Sequence, residues 1–244
     1  MNGQKYLLLS ILSLLPALFN AQITKPEVTE VWDPEPRIVS TIGDVPADAI
    51  VLFDGSNLDA WQGRWDKGAA NWEVKDGAMT VVKGTGDIMT KENFGSCQLH
   101  VEWRTPAEVV NESQLRGNSG VFLQSRYEVQ VLDSYENRTY SNGQAGSIYK
   151  QHLPLVNACR PPGEWQSYDI IFTAPVFNRD SMKIVPAYIT VIQNGVVIQN
   201  HVEIYGTTEY IGIPKNPMHG PAPIVLQDHG DPVSYRNIWL RKLD

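Results

Sequence analysis

The stretch "SCQLHVEWRT", Ser96–Thr105, alternates one residue at a time. Cys97, Leu99, Val101 and Trp103 fall on one side of it, and Gln98, His100, Glu102 and Arg104 on the other. Successive strand side chains point to opposite faces, so this is a strand with one buried and one wet face. Sustained helical periodicity is scarce in the rest of the chain. Short β patterns with turn residues between them recur instead. "NWEVKDGAMTVV" (71–82) is two runs around Asp76-Gly77, and "AYITVIQNGVVIQNHVEI" (187–204) is two runs around Asn194-Gly195. Asp-Gly and Asn-Gly are strong signals for a two-residue hairpin turn, because both turn positions need positive φ. "GVFLQ" (120–124), "WQSYDIIFTAP" (165–175), "APIVLQDHG" (222–230) and "YRNIWLRKL" (235–243) complete the series. Many short strands joined by Pro- and Gly-rich links predict an all-β fold. Two antiparallel sheets pack face to face in it as a sandwich or jelly roll.

Length and composition frame this reading. The chain has 244 residues and a formal charge of −7. Lys5 followed by an apolar run from Tyr6 to Leu18, with Ala21 at a cleavage point, reads as a signal peptide over 1–21. The run is about 13 residues, short of the ~20 a membrane helix needs. Export to the periplasm or beyond is therefore expected, with no membrane span. Residues 22–46 are rich in Pro and charge and read as an extended arm on the domain surface, with Trp32 and Val39 as anchors. The domain proper covers 47–244, opening on "AIVLFDGSNLDAW" with Leu58 and Trp61 as core. The acidic balance argues against nucleic acid as a partner. Cys97 and Cys159 are the two cysteines, and export permits a disulfide between them. The spacing does not supply the Cα distance that separates a bridge from two buried thiols, so both readings stay open.

"YEVQVLDSY" (127–135) asks for more than a fold. Val129 and Val131 face one way, while Glu128 and Gln130 share the other face with Leu132. If the strand carrying Glu102 and Arg104 lies in the same sheet, their polar sides line one surface dense in hydrogen-bonding groups, as a sugar cleft requires. The bland alternative is a solvated face with Glu102 and Arg104 as a cross-strand ion pair. In "LQDHG", Gln227 and His229 have one parity and Asp228 the other, so Asp228 and His229 do not touch unless the chain bends at Gly230. Imidazole changes charge nearest neutrality, which suits a base or an acid. The alternative is a His-Asp pair that closes a turn. Lys150 offers a point charge, or is an ordinary surface lysine. Asn118 in "GNSG" is a hydroxyl ligand or a turn former. Tyr149 and Trp72 could stack on a sugar, though aromatics more often fill cores. Trp165 reads as core. The other histidines, His100, His152, His201 and His219, have no metal-ligand spacing. No cofactor is implied by the sequence, although a divalent ion held by residues distant in sequence stays open.

"LFDGSNLDAW", "WEVKDGAM", "QLHVEWR", "GNSGVFLQSRYEVQVLDSY" and "IVLQDHGDPVSYRNIWLR" occur in that order and together resemble the 3-keto-disaccharide hydrolase family, found in exported proteins of Bacteroidetes and related bacteria. The resemblance runs from about Ala49 to Leu243. It implies a concanavalin-like lectin/glucanase jelly roll acting on glycosides whose sugar is already oxidised to a ketone at C3. A separate upstream 3-dehydrogenase is then implied, since this chain has no GxGxxG-bearing βαβ unit. Cys97 and Cys159 depart from the family pattern. A 3-keto group acidifies the C2 proton, so a base forms an enolate, the enolate expels the C1 substituent, and water adds back. That route needs a tuned base and donors aimed at the enolate oxygen. His229, Glu128 and Lys150 are the catalytic candidates. Glu102, Arg104, Asn118, Gln130, Gln227, Asp228 and Tyr149 are the candidates for binding the sugar. An ordinary two-carboxylate glycosidase and a non-catalytic lectin-like module stay open beside this reading, because a fold does not settle function.

Overall fold

In the computed structural model, residues 25–43 and 45–243 are described. The export segment expected at 1–21 and the first residues of the arm lie outside them. Among the described residues, those up to Ile38 form one unit and those from Val39 onward another. In the first, Pro26–Val28 makes a single 3-10 turn. Trp32 there is 80 % exposed.

Among the described residues the second unit carries fifteen strands. They are β1 (Ile50–Phe53), β2 (Trp61–Gly63), β3 (Glu73–Lys75), β4 (Ala78–Thr80) and β5 (Ile88–Thr90). Next come β6 (Cys97–Arg104), β7 (Ser119–Leu123), β8 (Tyr127–Val131), β9 (Gln166–Thr173) and β10 (Val176–Phe177). The last are β11 (Lys183–Val185), β12 (Ala187–Gln193), β13 (Val196–Ile204), β14 (Val225–Leu226) and β15 (Ser234–Lys242). Both predicted hairpins form. β3 and β4 turn through Asp76 (φ 52) and Gly77 (φ 75), and β12 and β13 through Asn194 (φ 52) and Gly195 (φ 83). Paired positive φ at the two central residues gives the turn the twist of the strands it joins.

The strands sort into two main antiparallel sheets. The larger runs β13-β12-β9-β6-β15-β4-β3, with β1 also on β15, and the smaller runs β2-β5-β14-β7-β8. β10 and β11 pair separately. Alternation then decides what each sheet buries. From the larger sheet, Leu99, Val101 and Trp103 of β6 and Tyr168, Ile170 and Phe172 of β9 enter the core. From the smaller, Val121 and Leu123 of β7 and Tyr127, Val129 and Val131 of β8 meet them. Each such aliphatic or aromatic side chain contributes about 1.5–3 kcal/mol on burial. Trp61 joins this core and Leu58 packs at its edge. Trp72 is also buried there, stacked on Tyr235 (centroids 5.8 Å apart), so it is core rather than a sugar platform. Leu132 departs from its expected face. β8 ends at Val131, the alternation ends with it, and Leu132 turns into the core.

Candidate active site

The site grows from the face of the smaller sheet turned away from that core. On β8, inward Val129 leaves Glu128 and Gln130 outward. On β7, inward Val121 leaves Gly120 and Phe122 outward. The register sets Phe122 opposite Glu128 and Gly120 opposite Gln130. The missing side chain of Gly120 makes the space that the Glu128 carboxyl fills. A Cβ there would stand 2.7 Å from Glu128 Oε1 and 2.9 Å from the Phe122 ring. Here glycine serves close approach rather than an unusual dihedral. The amide of Gln130, with its nitrogen turned toward the strand, donates to Glu128 Oε1 (3.0 Å) and to the Ser119 carbonyl (3.2 Å).

Glu128 is 5 % exposed. Burial, and secondarily the negative charge of Asp87, push its carboxyl up to about 8. At neutral pH this side chain is a neutral acid that can donate a hydrogen bond. Asp87 does not line the hollow. It is held by Arg64 (Nη1–Oδ2 2.9 Å) and accepts the Asp228 N–H (2.9 Å).

Beyond β8 the chain at 146–149 runs along the strand as a further edge. Gly146 donates to the Gln130 carbonyl (2.8 Å) and Tyr149 to that of Glu128 (3.2 Å). Ile148 is buried in the core, so by the same alternation Tyr149 points outward over Glu128. Its hydroxyl pairs with that of Tyr140 at 2.5 Å. Burial first, then the hydrogen bond that Tyr149 makes to Tyr140, raises the Tyr149 phenol above its ordinary value, so it stays neutral. Thr208 closes this end, accepting the Glu128 N–H at its hydroxyl (3.0 Å).

Together Glu128, Gln130, Tyr149, Thr208 and Tyr210 make one side of a hollow, and Asn118, Gln227 and His229 the other, with Phe122 between. It encloses about 600 Å³ including the space at its mouth, within the range of small-molecule sites. Asn118 is fixed by its amide, which donates to the Gln114 carbonyl (2.7 Å), and by its N–H, which donates to Asp231 (2.8 Å). Gln227 is held by its N–H on the Gly120 carbonyl (3.1 Å). Its side-chain oxygen is buried and has no hydrogen-bond partner in the protein. A buried acceptor left without a partner is costly, and a sugar hydroxyl is the partner this one suits.

Six of the ten residues singled out from sequence therefore face one hollow, namely Glu128, Gln130, Asn118, Tyr149, Gln227 and His229. The other four do not. Glu102 and Arg104 belong to the larger sheet, on its outward face, across the core from Glu128. There Glu102 accepts from Arg236 (2.6 Å) and Asn237 (2.9 Å), and Arg104 lies 4.6 Å from the Trp165 ring. Trp165 is half-buried, with the Arg236 guanidinium 4.1 Å from its ring, and is not the core residue expected. Asp228 has the parity opposite to His229 and turns to a loop, accepting from Gly84 (2.8 Å), Gly86 (2.9 Å) and Gly230 (2.9 Å). Lys150 stands one residue beyond Tyr149 and donates to the Tyr210 carbonyl (2.6 Å), so it fastens the wall without lining it. Cys97 and Cys159 are both thiols, and no bridge joins them. Cys159 instead accepts from Gln193 Nε2 (3.1 Å).

Three lining residues escaped the sequence reading. Phe122 was accessible to it, since "SGVFL" alternates and pairing with β8 puts Phe122 beside Glu128. Thr208 and Tyr210 sit in an irregular segment with no periodicity to read. Among the described residues no group of three or more His, Cys, Asp or Glu is placed to hold a metal ion.

The 3-keto-alpha-glucoside-1,2-lyase-like domain model matches residues 48–241. A 3-keto-disaccharide hydrolase of Bacteroides thetaiotaomicron is 24 % identical over 82 % of this chain and 81 % of its own. A crystal structure from Parabacteroides distasonis, named as a candidate glycosyl hydrolase, is 54 % identical. It superposes with a TM-score of 0.86 over 90 % of this chain and 97 % of that one. A second structure from that organism, named in the same way, shares the fold at 21 % identity and TM-score 0.60, covering 81 % and 94 % of the two chains.

Proposed function

The chain belongs to the 3-keto-alpha-glucoside-1,2-lyase-like family, and from that premise we propose that it cleaves 3-keto-glycosides by elimination followed by hydration. The protein is a glycoside-cleaving enzyme, and the proposal concerns how it cleaves. The observation that carries it is the meeting of a neutral carboxyl, Glu128, with an exposed imidazole, His229, in one hollow. His229 takes the C2 proton. The electron pair moves onto the C3 oxygen, where the Glu128 O–H donates to the developing enolate. A donor of this kind acts where charge appears in the transition state and is worth about 10²–10³ in rate. The enolate then reforms its carbonyl, a C1=C2 double bond forms, and the C1–O bond breaks. The aglycone oxygen leaves with the proton carried by His229, steadied by the Tyr149 hydroxyl. Water adds across the double bond, its hydroxyl to C1 and its proton to C2. Asn118, Gln130, Thr208 and Gln227 hold the remaining sugar oxygens.

Among the described residues that line the hollow, Glu128 is the one carboxylate. A two-carboxylate glycosidase needs a second acid across the scissile bond, so the lining favours the enolate route. We propose further that the export segment read at 1–21 carries the enzyme to the periplasm or beyond, and that a separate dehydrogenase supplies the oxidised sugar. The test is turnover of a 3-keto-glucoside in heavy water. The proposal expects one solvent deuteron at C2 of the product, above that of an enzyme-free control. Product without that label overturns it.

A further inference from the structure

Tyr149 lines the hollow and Tyr140 does not. Their hydroxyls nevertheless meet at 2.5 Å, and either can be the donor. That meeting is built into the chain. Tyr140 opens the 3-10 turn Ser141–Gly143, and Gly143 folds back to donate its N–H to the Tyr140 carbonyl (2.9 Å). The Tyr140 ring lies where a side chain at Gly143 would be. A Cβ there would stand 2.6 Å from Cδ2 and 2.8 Å from Cζ of that ring. Gln114 holds the glycine by donating from Nε2 to its carbonyl (2.9 Å). The turn is also stitched to the edge that carries Tyr149, because the Lys150 N–H donates to the Asn142 carbonyl (2.8 Å). The Lys150 ammonium lies over both rings, 5.6 Å from the centroid of Tyr140 and 5.8 Å from that of Tyr149. Two phenols are thus fixed on each other, one in the hollow and one 38 % exposed outside its lining.

We propose that Tyr140 is a positioning residue for cleavage of the C1–O bond, one that aims the Tyr149 hydroxyl hydrogen at the departing aglycone oxygen. The inference rests on the reading of the hollow as the site of elimination and adds a residue outside it. A phenol has one hydrogen to donate. While Tyr149 gives it to Tyr140, only lone pairs of Tyr149 face the hollow. A glycosidic oxygen, which has no hydrogen of its own, finds no partner in them. When Tyr140 donates instead, the Tyr149 hydrogen is free to turn toward the sugar. The reversal breaks nothing else, since among the described residues the Tyr140 hydroxyl has no other hydrogen-bond partner. Negative charge grows on the aglycone oxygen only as the C1–O bond breaks, so the pair reverses toward it in the transition state. A chain of two phenols also polarises the donor beyond what one supplies. The proton that departs with the aglycone still comes from His229, and neither phenol ionises.

The effect must then depend on the leaving group, which a merely structural role would not produce. Tyr140→Phe, Tyr149→Phe and the double variant are assayed beside the wild type with methyl and 4-nitrophenyl 3-keto-glucosides. Methoxide leaves poorly and needs a donor, whereas 4-nitrophenolate spreads its own charge. Tyr140→Phe is expected to lower kcat at least about tenfold on the methyl compound and less than about twofold on the nitrophenyl compound. Its KM and melting temperature should stay near those of the wild type. In the Tyr149→Phe background the same change is expected to do nothing further, because the two hydroxyls act as one unit. A fall shared equally by both substrates, no fall on either, or losses that add in the double variant overturn the inference. Each of these leaves the proposed reaction standing, since the wild type still turns over. A wild type that turns over neither glucoside overturns the reaction and the inference together.

Discussion

At the scale of single residues the site turns on the proton of Glu128. Its carboxyl is raised from 4.5 to about 8 by burial. Between those values the folded chain keeps a proton that the unfolded chain gives up, so stability falls as pH rises through the window. The span corresponds to several kcal/mol. Glu128→Gln removes this titration, and its melting temperature is expected to vary less between pH 5 and 8 than that of the wild type. Scanning calorimetry across that range checks it, and parallel curves for the two proteins would refute it. Activity depends on the same proton. The profile of kcat/KM is expected to fall above about pH 8, and the fall should vanish in Glu128→Gln, whose amide still donates but cannot ionise. Glu128→Ala, with no donor, is expected to lose about 10²–10³ in kcat. Gly120→Ala gives a more pointed probe, because its methyl would meet the carboxyl and the Phe122 ring within 3 Å. The fold should persist while kcat drops at least about tenfold, through displacement of a group that must sit within a fraction of an ångström. An unchanged kcat would mean that the carboxyl position is not critical. The pairing of Glu128 with Gln130 was legible in the sequence, since period-2 alternation fixes which side chains share a face. The depth of Glu128 was not, because it is set by Gly120 on another strand and by Tyr149 beyond it.

At the scale of elements, strands were legible and their partners were not. Ser96–Thr105 alternates so cleanly that its two faces can be listed from sequence, yet nothing in it says which sheet it joins. The expected union of Glu102 with Glu128 failed on that point alone. The hairpins at Asp76-Gly77 and Asn194-Gly195 were legible because a two-residue turn specifies its own φ values. The segment around Thr208 and Tyr210 obeys no period, and its shape comes from a local tie to Lys215 and from ties to Arg126 and Lys150, which lie far off in sequence. Asp228 is a further case. Beside His229 it resembles a catalytic partner, but its parity sends it away from the hollow, where it clamps the turn holding Gly84 and Gly86 to the end of β14. Both glycines there have φ above 80°, so the turn depends on residues free of a Cβ and on the carboxylate that accepts their N–H groups. Asp228→Ala is expected to cost about 1–3 kcal/mol, since it removes two hydrogen bonds to a charged acceptor, one from the exposed Gly84 and one from the partly buried Gly86. It should also speed hydrogen exchange at the Gly84 and Gly86 amides before the strands open. Amide exchange read by NMR decides this. Unaltered protection at those two amides would show that Asp228 does not hold the turn.

At the scale of the whole molecule the two sheets do more than exclude water from one another. Two buried phenols of the larger sheet cross the core and grip the backs of the strands that carry the site. The Tyr168 hydroxyl donates to the Gln130 carbonyl at 2.8 Å. The Tyr235 hydroxyl meets that of Ser119 at 2.7 Å, and Ser119 in turn donates to the Gln227 carbonyl at 2.6 Å. Burial raises both phenols above their ordinary value, so they remain neutral donors at any working pH. The residues whose backbones they hold, Gln130 and Gln227, are those whose side chains line the hollow on the opposite face. The larger sheet contributes no lining residue and yet positions two of them. No pattern in the sequence could announce this, because a buried tyrosine and a buried phenylalanine satisfy the same alternation. The consequence separates positioning from bulk stability. Tyr168→Phe keeps the ring and loses one hydrogen bond, worth about 1 kcal/mol, or about 2–4 °C in melting temperature for a domain of this size. Ile189→Val, in the same core but on β12 of the larger sheet, costs about 0.5–1.5 kcal/mol. If the phenol positions Gln130, Tyr168→Phe should lower kcat severalfold while Ile189→Val, at matched stability, leaves it near the wild-type value. Equal kcat for the two variants would reduce the phenol to packing.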